Sequence, residues 1–129
     1  MKQIIIVLLL IAFVGLSAAK TGTQFENLKV LPKDISSKDL QGIMADDFED
    51  GLGVSCGFCH ASAPGGHGLD FASDAKPEKE IARRMMRMTL DLNKKYFHVR
   101  KPGIGSNTLT ITCATCHKGE PFPDGDVLH

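Results

Sequence analysis

The chain has no tryptophan and a single tyrosine among its 129 residues, so the core it can build is modest. A small domain of this make-up needs some other staple. Neither sign of charge is in excess: 15 basic side chains stand against 15 acidic ones. That balance excludes the basic footprint of a nucleic-acid binder. No apolar run reaches the roughly 20 residues that cross a bilayer as a helix; the longest, Ile4 to Leu16, has 13. Cysteine is limited to four residues, none of them near a site where a lipid anchor would be attached.

The apolar run has a different meaning. Met1-Lys2-Gln3 gives it a positive start, and Ser17-Ala18-Ala19 supplies the small residues that a signal peptidase reads. The expectation is a signal peptide over 1–19, cleaved after Ala19, and an exported, periplasmic protein; a retained membrane anchor is the alternative. Residues 20–129 then form one small domain of 110 residues. Loss of Lys2 leaves it near neutral.

All four cysteines fall in two copies of one pattern, Cys56-Gly57-Phe58-Cys59-His60 and Cys113-Ala114-Thr115-Cys116-His117. C-x-x-C-H is the spacing of covalent haem attachment. Two thiols on one turn can add to the two vinyl groups along one porphyrin edge, and the adjacent imidazole falls beneath the iron. Two haem c groups are expected, with His60 and His117 as proximal ligands and no cysteine left for a disulfide. The competing readings are a four-thiolate zinc site and a thiol-redox pair. Zinc has no use for a His after the second Cys of each pair, and more than fifty residues separate the pairs, so no zinc is expected. Two macrocycles would also be the missing staple, which makes folding dependent on haem.

Helices frame both pentapeptides. Phe25 to Leu31 is an extended lead-in that stops at Pro32. Ser36 caps a helix, answered by Asp39 three residues on, and Leu40, Ile43, Met44 and Phe48 follow as one apolar stripe until Gly51 and Gly53 end it. Met44, twelve residues before Cys56, is the expected sixth ligand of the first haem, since thioether sulfur is a common partner of His on c-type iron. Residues 61–68 read as a loop, with His67 either solvent-exposed or a rival ligand. A second helix spans about Pro77 to Phe97, with Pro77 in its first turn and Glu78 and Glu80 near its positive end. At about 100° per residue, Ile81, Met85, Met88, Thr89, Leu92 and Tyr96 share a side opposite Arg83, Arg87 and Lys94. Met85 is central there and is the expected sixth ligand of the second haem, with Met86 and Met88 packing around it; His98 or His67 is the alternative. Leu109 and Ile111 form a short extended run before Cys113. The fold class is mainly α, with two Met-bearing helices, each followed by a turn and C-x-x-C-H, and long irregular loops.

Asn27-Leu28-Lys29-Val30-Leu31, the Met44 helix, Ile81 to Thr89 and Thr112 to Gly119 together resemble the cytochrome c subunit of photosynthetic reaction centres. The likeness covers most of residues 25–123. It implies Met44 paired with His60 and Met85 with His117. That family's best-known members hold four haems, so this chain resembles one half of them. His98 falls near a family His that ligates a haem of the other half, and the loop from Arg100 to Ile111 is longer. A photosynthetic and a respiratory setting are equally compatible with the resemblance.

Iron held by His and Met has no ready position for substrate, so the functional expectation is a dihaem electron carrier with redox proteins as partners, including a photosynthetic or respiratory membrane complex. The alternative is a haem enzyme, a peroxidase or small-molecule reductase, with one open distal face and His67 or His98 for acid-base work. A haem-bearing assembly subunit of a respiratory complex is the third reading.

Overall fold

The computed structural model describes residues 25–123. The expected signal peptide and His129 lie outside them. The architecture is mainly helical, with one two-stranded sheet. In chain order the elements are α1 (Ser37–Gly42), which runs directly into a π-helix (Ile43–Asp50), then α2 (Cys56–Cys59), β1 (Ala61–Ser62), β2 (Leu69–Asp70), α3 (Pro77–Tyr96) and α4 (Cys113–His117).

Local sequence explains where the helices start. Ser36 Oγ accepts the Asp39 amide at 3.1 Å, the expected cap, and donates to the Asp39 carboxylate at 2.7 Å, so that carboxylate answers the Ser36 hydroxyl rather than the Ser36 amide that a capping box would use. Pro77 opens α3, where its missing N–H costs nothing, and Glu78 and Glu80 sit in the first turn. The π-helix had no sequence signature, yet it carries Met44. Such wide turns are rare and cluster at functional sites.

The core is small: Leu31, Ile43, Met86 and Ile104 are buried, with Leu28, Val30, Ile35, Leu40, Met44, Phe48 and Leu90 packed around them. It joins the lead-in, the first helix, the middle of α3 and the long loop. The stripe expected on the first helix faces this core.

Three expectations need correction. First, α3 turns a different side to the core. Met86, Thr89, Asn93 and Arg83 are the buried residues, while Ile81, Met85, Met88 and Tyr96 are exposed. Arg83, read as solvated, is only 6% exposed. It pairs with Asp74 at 2.8 Å and donates to the Asn27 carbonyl at 3.2 Å, pinning the lead-in to α3. Second, Leu109 to Ile111 is not a strand. Asn93, 0% exposed, replaces a strand partner: its Oδ1 accepts the amides of Thr110 (2.7 Å) and Ile111 (3.1 Å), and its Nδ2 donates to the carbonyls of Ile111 (2.7 Å) and Thr89 (2.9 Å). Third, the segment after His60 closes into a minimal antiparallel pair, Ala61 opposite Asp70 and Ser62 opposite Leu69.

Candidate functional site

Each C-x-x-C-H segment is wound into a single helical turn, so its two thiols and its imidazole share one short stretch of chain. In the first, the His60 amide donates to the Cys56 carbonyl at 3.0 Å. In the second, Thr112 and Thr115 cap the turn reciprocally. Thr112 directly follows the residues clamped by Asn93; the second segment itself packs on the π-helix and Gly51, whereas the first packs on α3.

The two imidazoles are anchored differently. His117 Nδ1 lies 2.9 Å from the Glu120 carbonyl. A carbonyl can only accept, so Nδ1 carries a proton, and in the neutral ring the free lone pair is then on Nε2. Metal-binding histidines are oriented in this way. The His60 ring packs edge-on against Phe71, centroids 5.0 Å apart. Its Nδ1 is buried with no hydrogen-bond partner among the described residues. Burial pushes the His60 pKa down, with Lys79 and Arg83 acting the same way and the Phe71 backbone opposing. Neutral imidazole is the form that ligates, and burial favours that form at His60.

The segments are neighbours in space. The first begins just past the Gly51 to Gly53 turn, and the second packs back onto that turn. A Cβ on Gly51 would lie 3.5 Å from the Cys113 Cβ, and the Gly119 amide donates to the Gly51 carbonyl at 3.1 Å. Gly53, at φ +63°, abuts the Gly119 carbonyl so closely that a side chain would collide with it. Glycine is needed there for both conformation and space. Phe58, inside the first segment, meets Phe122, just after the second, at 6.4 Å.

Three of the four thiols are shifted away from the depressed thiolate pKa on which dithiol redox work depends. Cys56 Sγ donates to Glu49 Oε1 at 3.2 Å, which raises its pKa. Burial raises Cys59. Burial and the Asp47 carboxylate push Cys113 up to about 11. All four thiols are free, and among the described residues no three His, Cys, Asp or Glu side chains gather as a metal cage.

The methionines divide by exposure. Met44 is partly buried against the core. Met86, 5% exposed, belongs to the core, whereas Met85 is 43% and Met88 47% exposed. α3 therefore has two apolar faces, and Met85 is central to the one that protein does not cover, with Ile81, Met88, Leu92 and Tyr96. His67 and His98 are exposed, His98 with a left-handed φ of 55°. Sequence reasoning missed Asn93, whose partners lie 4 to 18 residues away, and Lys76, whose ammonium donates to the Gly57 and Phe58 carbonyls of the first segment. The donor set fits c-type haem: two pairs of free thiols, an imidazole directly after each pair, and an uncovered apolar face carrying thioether sulfur.

Comparison with known proteins agrees with this chemistry. The family model described as photosynthetic reaction centre cytochrome C subunit matches residues 11–127. Among curated proteins, cytochrome c-554 of Chloroflexus aurantiacus is 34% identical over 87 residues, 67% of this chain and 19% of that protein. The photosynthetic reaction center cytochrome c subunit of Rubrivivax gelatinosus is 35% identical over 69 residues, 53% of this chain and 15% of that protein. The chain thus spans less than a fifth of the length of either relative. No solved structure matches it significantly.

Proposed function

The chain belongs to the photosynthetic reaction centre cytochrome c subunit family, and from that membership we propose that it is an exported, periplasmic electron-transfer protein carrying two covalently bound haem c groups. The observation that carries this reading is the juxtaposition of two C-x-x-C-H turns on one Gly51 to Gly53 corner. Cys56, Cys59 and His60 would hold one group, and Cys113, Cys116 and His117 the other. Met44 would serve the group held by His60, and Met85 the group held by His117. Each group supplies a one-electron ferric/ferrous couple.

The chain's own residues do the rest. Glu120 fixes the His117 tautomer, and Phe71 with the α3 amino-terminal turn shelters His60. Asn93 ties Thr110 and Ile111, just before the second C-x-x-C-H turn, to the carboxy-terminal half of α3. With a His and a Met both engaged, neither group would offer an open position to substrate, which suits electron exchange with a redox partner protein, in a photosynthetic or respiratory membrane complex. Among the described residues no helix is long and apolar enough to cross a membrane.

Carbon monoxide added to the reduced, purified protein tests the carrier reading. No prompt spectral change is expected. A rapid change at one haem would reveal an open distal face and favour a peroxidase or reductase instead.

A further inference from the structure

We propose that Lys76 is the positioning residue of the first C-x-x-C-H segment: its ammonium, reaching across from the start of α3, holds the Gly57 and Phe58 carbonyls and so sets where Cys59 and His60 stand. This rests on the two-haem reading and gives the first site a residue that the attachment pattern itself does not contain.

The need arises in the backbone. A helical turn leaves its last carbonyls without amide partners, and the two segments meet that cost differently. In the second, the chain stays wound through His117 and Lys118 takes a left-handed φ of 53°. The Lys118 amide then donates to the Ala114 carbonyl at 3.0 Å. In the first, His60 is already extended, at φ −108° and ψ 130°, and the chain passes straight into β1. Gly57 holds the place in the first segment that Ala114 holds in the second, and among the described residues no backbone amide reaches its carbonyl. Lys76 supplies the missing donor, to Gly57 and to Phe58. Ser55 gives the first turn no side-chain cap, whereas Thr112 and Thr115 cap the second.

Lys76 has no competing partner. Lys79 and Arg83 are committed to Asp74, and Arg83 and Arg87 to Glu80; among the described residues no carboxylate pairs with Lys76. A cation at the carbonyl end of a turn also offsets the dipole there, and bonds from a charged donor are the stronger class. Cys59 and His60 directly follow the held carbonyls, so slack in the turn becomes slack in sulfur and imidazole.

Proton NMR of the ferric holoprotein tests the proposal, because paramagnetic iron displaces the methyl resonances of each haem according to the orientation of its axial imidazole. Phe71→Leu marks the set that belongs to His60, whose ring packs on Phe71 at 5.0 Å. Lys76→Met is expected to move that same set and leave the other in place. Lys76→Arg, which can still donate to both carbonyls, should restore the wild-type positions. Amides 59–62 should also exchange about tenfold faster in Lys76→Met, with 113–119 unchanged. Movement of neither set, or of both alike as a general loss of packing would cause, would overturn the assignment while leaving the two-haem carrier intact. If Lys76→Met does not accumulate, Lys76→Gln, which keeps a donor but no charge, is read by the same criteria. A wild-type spectrum with one displaced set, or none, would instead remove the two-haem reading.

Discussion

Asn93 is the residue whose loss the structure prices most clearly. Its side chain is fully buried and makes four hydrogen bonds, three of them to the backbone of Thr110 and Ile111. Asn93→Ala strands two amides and one carbonyl next to the core. Thr110 is exposed, so water recovers part of its bond. At about 1 kcal/mol per stranded group after that recovery, the expected loss is about 3 kcal/mol. For a domain of this size that is a fall of about 12 to 24 °C in Tm, read by circular dichroism and by urea titration with an unchanged slope. Asn93→Asp adds a pH signature. The acid form can still donate, whereas the carboxylate faces the Thr89 and Ile111 carbonyls, and burial holds its folded pKa above the unfolded value of about 3.9. The variant should therefore be close to wild type below about pH 4 and lose stability as pH rises through the interval between the two values. An Asn93→Ala protein within about 0.5 kcal/mol of wild type would refute the clamp argument.

Three further outcomes follow. Met85→Ala should abolish the far-red sulfur-to-iron band of one ferric haem, whereas Met86→Ala should keep both bands and lose about 3 kcal/mol of stability as a core truncation; the reverse pattern would overturn the choice of methionine. Cys116→Ser should remove one thioether and give poorly matured protein, checked by mass spectrometry of the exported fraction. Lys29, Arg83 and Asn27 hold the Asp74 carboxyl well below the usual carboxylate range, so its contribution is present above the unfolded pKa of about 3.9 and is lost as pH falls toward the folded value. Asp74→Asn should thus be less stable than wild type at neutral pH, with the gap closing in acid, as measured by urea midpoints from pH 7 downward.

Features set by near neighbours in sequence were legible. The Ser36 cap, the Pro77 start and the stripe on the first helix all depend on residues within a turn or two, and each appears where the pattern placed it. The two C-x-x-C-H segments stood out by their spacing, and each is a single helical turn. What escaped depends on distant partners. Arg83 reads as a solvated charge until Asp74 and Asn27 are brought beside it. Asn93 reads as an unremarkable helical polar residue until Thr110 and Ile111 return to it, and its amide then removes the need for the strand that Leu109 and Ile111 suggested. Met85 and Met86 are adjacent, so about 100° of helix separates them. Both faces are apolar, and periodicity alone could not say which one the protein covers and which it leaves for another occupant.

The central claim is that this polypeptide carries two porphyrins, each bound by its own pair of thiols. The intact mass of the exported protein after acid denaturation tests it most directly. The account predicts the polypeptide mass plus two haem groups that survive denaturation; a mass equal to the amino acids alone, or to the chain plus a single haem, would contradict it.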